Sequence, residues 1–191
     1  MSTRPKILII CPSKYPEKLE KMLDSLLVTR SIHSKIIVNQ EIKSVTKIFN
    51  QVFEDNPDED FYFMANDDIV FETPLWDLEL AVKGKISYGN DSYQGENLCT
   101  FPMIDGDIVR ALGWLQLPTL EKYCGDVVWR TIGRSLNNLN YNSNVIMYHN
   151  WEELQIDKNT HDKDIGEFAK WLKVSHRDIN KIRSALCGNM M

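Results

Sequence analysis

Apolar and polar positions follow two different periods through the first third of the chain. Continuous apolar runs at residues 6–11, 35–39 and 60–65 have the length and composition of strands. Between these runs, apolar residues recur at the three- and four-residue spacing of a helix with one buried face. Continuous apolar runs are typical of strands covered on both sides, as in a parallel sheet. The pattern therefore predicts a βαβαβ unit with right-handed crossovers.

After residue 65 the predicted elements become shorter and less regular. Short strands are predicted at 69–71, 85–88, 139–141 and 145–148, and short helices at 76–82, 107–112 and 126–132. Ser175–Asp178 has the form of a capping box, and the apolar stripe after it predicts one more helix. We predict an α/β domain over residues 1–156 and a helical C-terminal appendage over residues 157–191, packed on that domain or on a partner.

Composition places the chain among ordinary globular proteins, with 43% hydrophobic and 26% charged residues over 191 positions. Apolar runs stay short of the roughly 18 residues that a membrane span needs, and the first residues do not have the pattern of a signal peptide. The four cysteines lack the paired spacing of zinc sites and redox motifs. We therefore expect a cytoplasmic protein without a membrane span.

Charge is distributed unevenly along the chain. The formal net charge of −5 gives no global reason to expect nucleic-acid binding. Residues 52–79 hold ten acidic side chains and no lysine or arginine, whereas residues 157–191 hold seven basic and five acidic ones. The acidic middle of the chain predicts a cation site.

The sharpest candidate for that site is Asn66-Asp67-Asp68, where a predicted strand stops abruptly. Ligands of open α/β sheets bind beyond the carboxyl ends of the strands, so two adjacent carboxylates here lie where a ligand is expected. Mg²⁺ or Mn²⁺ carrying a diphosphate would join them, because these ions take carboxylate, phosphate and water oxygens. The alternative is a solvated Asn-Asp turn.

Three further acidic or imidazole groups stand at predicted element boundaries. His149 ends an apolar run and could complete the coordination of the same cation, or be a surface histidine. Asp126 follows a glycine at a predicted helix start, where it could act as a general base or only stabilise the helix dipole. For Asp107 we favour a helix N-cap.

Together, these pieces resemble the glycosyltransferases of the GT-A fold, in particular the compact family-2-like enzymes common in bacteriophages. The resemblance covers most of the first 151 residues and is similar in both order and spacing. The matching segments are Cys11–Pro16 with the helix after it, Asn66–Asp68, Tyr88–Asp91, Gln94–Asn97, Asp107–Trp114, Tyr123–Trp129 and Tyr148-His149. What it implies is an α/β, GT-A-like nucleotide-binding fold with a mainly parallel central sheet flanked by helices.

The same resemblance implies a metal-dependent enzyme that transfers a sugar from a nucleotide-diphosphate sugar to an acceptor hydroxyl. Asp68 and His149 would bind Mn²⁺ or Mg²⁺, and Asp126 would be the base of an inverting displacement. The donor would be bound by Pro12, Ser13, Lys14, Asn66 and Asp67. The usual Asp-Asp after the second strand is replaced by Val38–Glu41, so the nucleotide stays open.

Three questions remain open at the level of sequence. The acceptor could be modified DNA, a virion protein or a glycan, and the acidic charge of residues 1–156 disfavours DNA. If a phage encodes the chain, it would act in the host cytoplasm. The alternative functions are a nucleotidyltransferase, against which the missing Gly-rich phosphate loop argues, and a catalytically silent module that binds a carbohydrate or protein.

Overall fold

The computed structural model describes residues 4–40, 44–150 and 156–188. The strands are β1 (Ile7–Pro12), β2 (Ser34–Asn39), β3 (Phe61–Met64), β4 (Ile69–Phe71), β5 (Ile86–Asn90), β6 (Met103–Asp105) and β7 (Leu139–His149). The helices are α1 (Pro16–Thr29), α2 (Val45–Asp55), α3 (Trp76–Leu80), α4 (Gly106–Leu112), α5 (Gly125–Leu136), α6 (Lys158–Leu172) and α7 (His176–Gly188), with a 3₁₀ turn at Gly95–Asn97.

The strands of the described segments form one sheet in the order β2-β1-β3-β6-β5-β7-β4. β2, β1 and β3 are parallel neighbours, and β6 joins β3 to β5 through antiparallel pairing on both sides. β7 runs parallel to β5, and β4 lies antiparallel beside the end of β7. β1, β2, β3, β5 and β7 therefore share one direction, which confirms the predicted α/β fold with a mainly parallel sheet.

Helices cover both faces of this sheet, as the continuous apolar run of β1 requires. Successive side chains of a strand point to opposite faces, and Leu8 and Ile10 pack into a core with α2, α4 and α5. Ile7 and Ile9 pack into a second core with α1 and α3. All four side chains are fully buried, so both faces of β1 are internal.

The region after residue 90 differs from the sequence-based prediction in two ways. β6 was not predicted, and residues 139–149 form one strand instead of two. β5 pairs with residues 139–142 of β7 and again with Ile146, and the register shifts between Gly89 and Asn90, so residues 143–145 have no register partner on β5. A Cβ on Gly89 would lie 2.5 Å from the carbonyl oxygen of Val145, so only glycine permits this close approach of the two strands.

The predicted cap of α4 is wrong, whereas α7 begins directly after Ser175, where the capping-box prediction places its start. The cap of α4 is Asp105, whose carboxylate accepts hydrogen bonds from the backbone N–H groups of Asp107 and Gly84, both at 2.7 Å. The Ser175 hydroxyl donates to the carbonyl of Leu172, and Asp178 accepts from the Trp171 indole. Sequence spacing allows several acceptors near a helix start, and tertiary packing selects among them.

The helices of the predicted appendage pack on the α/β domain. Trp171 of α6 and Ile182 of α7 belong to the same buried core as Ile108 and Leu112 of α4. The domain boundary itself stays a prediction, because residues 151–155 lie outside the described residues. No helix in the described ranges is long and apolar enough to cross a membrane.

Asp107 supplies a test of stability against pH. Its carboxylate lies 2.8 Å from Lys83 Nζ and 2.6 Å from Arg110 Nη2, and hydrogen bonds from these two groups lower its pKa. A carboxylate whose pKa is lowered by folding stabilises the folded state at pH values above its pKa in the unfolded chain. This stabilisation is lost as the pH falls through the lowered pKa of the folded state. We expect Asp107→Asn to lower the unfolding midpoint near pH ~7, and we expect the difference from the wild type to shrink as the pH falls below about 4.

Urea unfolding of both proteins across that pH range measures the effect. Asp24→Asn, at an exposed carboxylate of α1, is the control. A deficit of Asp107→Asn that stays the same at every pH would contradict the assignment.

Candidate active site

Pairing between β4 and β7 brings the two predicted metal ligands together. Asp68 lies in the turn between β3 and β4, and His149 is the last residue of β7. Ile69 pairs with His149 across the two strands, and the Asn150 N–H donates to the carbonyl of Asp68 at 2.9 Å. The side chains of Asp68 and His149 consequently meet beyond the carboxyl end of β3.

Asp68 and His149 leave buried polar atoms without partners. Nε2 of His149 lies 3.4 Å from Oδ2 of Asp68, and each side chain is about 10% exposed. Oδ1 of Asp68 and both ring nitrogens of His149 are buried, and none has a hydrogen-bond partner among the described residues. Buried polar groups in folded proteins are almost always paired. Three such atoms at one place could serve as donor atoms for a bound cation.

The donor set fits a divalent cation that also carries a diphosphate. Ligands of Mg²⁺ stand about 2.1 Å from the ion, so neighbouring ones are about 3 Å apart, close to the distance between these two side chains. No third His, Cys, Asp or Glu joins them in a metal-binding cluster within the described residues. One or two protein ligands completed by phosphate oxygens and water is the usual arrangement for Mg²⁺.

Contacts with the loop after β5 and with Phe101 position His149. Its backbone N–H donates to the carbonyl of Asp91 at 3.1 Å, and its ring packs edge-on against Phe101 with 4.9 Å between centroids. The buried Asp91 carboxylate accepts from the Thr100 hydroxyl and from the backbone N–H groups of residues 93–95. Sequence analysis placed Asp91 in a matching segment but did not recognise this structural role.

Asp67 ties the turn after β3 to the loop after β1. The Ser13 hydroxyl donates to Oδ2 of Asp67 at 2.5 Å, and the Ser13 N–H donates to the carbonyl of Asn39. Burial raises the pKa of Asp67, the Ser13 hydrogen bond opposes this rise, and the charge of Asp68 adds to it. Lys18 on α1 also lowers this pKa, and it is a nearby cation that sequence analysis missed.

The other predicted donor-binding residues line the same loops. Pro12 and Ser13 are buried, whereas Lys14 and Asn66 are exposed. Burial raises the pKa of the Cys11 thiol, and the charges of Asp67 and Asp68 raise it further, so the end of β1 lies beside the turn after β3. The structure therefore brings the two loops together, and the roles of these residues in donor binding stay predictions.

Asp126 lies in the first turn of α5, and its Oδ1 accepts from the N–H of Val127 at 2.8 Å. Burial raises the pKa of Asp126, while that hydrogen bond and the nearby Arg130 and His149 lower it. The influence of His149 puts Asp126 within electrostatic reach of the candidate metal ligands. A carboxylate with a raised pKa is a better proton acceptor, which suits a general base.

One acidic residue in the segment 52–79, Asp77, stabilises the fold and is not available to bind a cation. Asp77 is fully buried, and its carboxylate accepts from the N–H and hydroxyl of Ser31 and from the hydroxyl of Ser34. A count of acidic residues in the sequence cannot distinguish a buried structural carboxylate from a metal ligand. The contacts separate them, because Asp77 is satisfied and Asp68 is not.

The fold is similar to that of solved structures of other proteins. No protein-family model and no curated protein matches the chain. It is similar to the catalytic domain of Drosophila β1,4-galactosyltransferase 7 in complex with xylobiose, with a TM-score of 0.61, 13% identity, and coverage of 83% of this chain and 79% of that one. It is also similar to a mannosyltransferase from Pyrobaculum calidifontis in complex with GDP-Man and Mn²⁺, with a TM-score of 0.59, 9% identity, and coverage of 98% and 75%.

Identities this low show the fold alone. The chain has a fold similar to that of GT-A glycosyltransferases, and the predicted fold class is confirmed. The bacteriophage affinity suggested by the sequence stays a prediction.

Proposed function

We propose that the chain is a metal-dependent glycosyltransferase that transfers a sugar from a nucleotide-diphosphate sugar to an acceptor hydroxyl. The observation that carries the proposal is the set of buried, unpartnered atoms on Asp68 and His149. Their place beyond the carboxyl ends of the strands is where ligands bind in open α/β sheets. The Mn²⁺ and GDP-Man of the structurally similar mannosyltransferase give the same ligand classes.

The proposed roles follow from the chemistry of each side chain. Asp68 and His149 would hold Mn²⁺ or Mg²⁺, which when bound would offset the charge that builds on the leaving diphosphate. Asp126 accepts the proton of the attacking hydroxyl in an inverting displacement. Ser13 fixes the Asp67 carboxylate through the hydrogen bond between them.

The remaining donor contacts come from the loops after β1 and β3. Pro12 shapes the first loop, and Lys14 offers an exposed point charge to the nucleotide or its phosphates. Asn66 and Asp67 would contact the ribose of the donor or water on the metal.

Removal of the metal tests the proposal. The purified chain is incubated with a panel of UDP- and GDP-sugars and Mn²⁺, and released nucleoside diphosphate is measured, with water as acceptor. We expect release from one donor class, an arrest by EDTA, and recovery when excess Mn²⁺ or Mg²⁺ is added.

Other outcomes decide between the alternatives. Release that continues unchanged in EDTA would contradict the metal assignment. Formation of a sugar nucleotide from a nucleoside triphosphate and a sugar phosphate would instead identify a nucleotidyltransferase. Donor binding without any release would favour a silent binding module.

A further inference from the structure

A buried carboxylate on α6 holds the segment that leads into α5. Asp164 is fully buried, and its Oδ1 accepts from the N–H of Glu121 at 2.9 Å. Its Oδ2 accepts from the N–H groups of Lys122 and Tyr123, at 2.9 and 2.8 Å. One side chain of the C-terminal appendage thus binds three consecutive backbone amides just before the helix that carries Asp126.

The same segment is held by other contacts on both sides. The carbonyl of Glu121 accepts from the Thr46 N–H at 3.2 Å and from the Ser44 hydroxyl at 3.1 Å, both at the start of α2. The Tyr123 hydroxyl accepts from the N–H of Asp157, the N-cap of α6, at 2.9 Å. The segment before α5 is therefore clamped between α2 and α6.

The clamp ends directly at the first turn of α5. Cys124 follows the last bound amide, has a left-handed conformation with φ of 65°, and its carbonyl accepts the first bond of the helix from Val128. Burial raises the pKa of Cys124 to about 11, and the charges of Asp126 and Asp164 add to this rise. The two carboxylates thus both lie near Cys124 at the start of the helix.

We propose that Asp164 is a positioning residue that sets the placement of Asp126 through the backbone of residues 121–124. This inference rests on the proposed function, in which Asp126 is the base. A misplacement of about 1 Å can cost about 100-fold in rate when a catalytic group must meet a reacting atom. The appendage, which lies outside the segments that carry the sequence resemblance, is then part of the active-site framework.

The chemistry of the contact requires a carboxylate. An ionised carboxylate only accepts hydrogen bonds and offers two oxygens, which three N–H donors can share. Asparagine at this position would present its NH₂ group to a backbone N–H, donor against donor. Asp164→Asn therefore keeps the shape of the side chain but loses at least one of the hydrogen bonds from residues 121–123. Asp164→Glu keeps the charge.

Asp178→Asn is the matched control. Asp178 is a carboxylate of α7 that accepts from the Trp171 indole and from Lys181, and these contacts lie within the appendage. Its replacement weakens the appendage without removing a hydrogen bond from the segment before α5. Comparison of the two variants separates positioning of Asp126 from general loss of appendage stability.

The experiment has two readouts on the full chain. Amide hydrogen exchange should accelerate at residues 121–123 and at the first turn of α5 in Asp164→Asn, and not in Asp178→Asn. Nucleoside diphosphate release from UDP- and GDP-sugars with Mn²⁺ should show kcat lowered about 10- to 100-fold in Asp164→Asn, with the donor KM within about twofold. Asp164→Glu should recover part of the lost kcat.

Each outcome decides the proposal. Unchanged exchange at residues 121–123 in Asp164→Asn, or unchanged kcat despite faster exchange, would overturn it. An equal loss of kcat in Asp178→Asn would show a merely structural role. If Asp164→Asn does not fold, Asp164→Glu decides the question. Its longer side chain must displace the bound amides of residues 121–123, so a folded Asp164→Glu with unchanged exchange and unchanged kcat would overturn the proposal. A wild type without release from any donor defeats the proposed function, and the exchange readout then decides by itself whether Asp164 holds the segment.

Discussion

Asp68→Asn is expected to lower Mn²⁺-dependent release of nucleoside diphosphate by about 1,000-fold. The reason is that the variant loses the charged ligand, and metal stabilisation of a leaving group is worth several kcal/mol, with about 1.4 kcal/mol for each factor of ten in rate. The fold should survive, because the buried Oδ1 of Asp68 has no hydrogen-bond partner to lose among the described residues. Removal of a poorly compensated buried charge should leave the unfolding midpoint of the metal-free chain unchanged or raise it.

The measurement is release with the preferred donor over a range of Mn²⁺ concentrations, beside unfolding midpoints without metal. Asp24→Asn removes an exposed carboxylate of α1 and should retain full activity. Retained turnover with an unchanged response to Mn²⁺ in Asp68→Asn would remove Asp68 from the metal site. A collapse of the unfolding midpoint would show that Asp68 is needed for folding.

Asp126→Asn is expected to lower release by about 100- to 10,000-fold while donor binding is preserved. General base catalysis contributes rate factors of this size, and an amide cannot accept the proton. The candidate metal ligands remain intact, so the shift of the unfolding midpoint caused by donor and Mn²⁺ should equal that of the wild type. The signature is a loss of kcat without a loss of binding.

Asp107→Asn is a matched control for this experiment, because Asp107 is also a first-turn carboxylate, in α4. It should retain kcat at neutral pH. If release survives in Asp126→Asn, the base lies elsewhere or the reaction is retaining. If the donor-induced shift disappears as well, Asp126 takes part in donor binding.

Much of the central fold follows from the sequence because its signals are local. The apolar run of β1 and the amphipathic patterns of α1 and α2 each predict their own element, and the βαβαβ order then limits the topology. The candidate ligands Asp68 and His149 could be found because each ends an apolar run. Strand ends gather at one edge of a sheet, so polar residues there mark the site.

The contacts that organise the site could not be predicted in the same way. The Ser13–Asp67 and Asp164–Tyr123 hydrogen bonds join distant segments, and neither leaves a periodic signal in the sequence. The predicted cap at Asp107 failed for a related reason, since the nearby Asp105 is an equally good acceptor and packing chose it. Long-range partners decide which of several similar carboxylates is structural and which is available for chemistry.

Thermal unfolding with Mn²⁺ and a panel of nucleoside diphosphates and their sugars tests the central claim most directly. A ligand at about 100 times its Kd stabilises the native state by about 2.7 kcal/mol, which corresponds to a shift of about 5 to 10 °C for a chain of this size. We predict such a shift with one nucleotide class, dependent on Mn²⁺, abolished by EDTA and absent from Asp68→Asn. No shift with any nucleotide, or a shift that persists in EDTA and in Asp68→Asn, would contradict a metal-dependent donor site at Asp68 and His149.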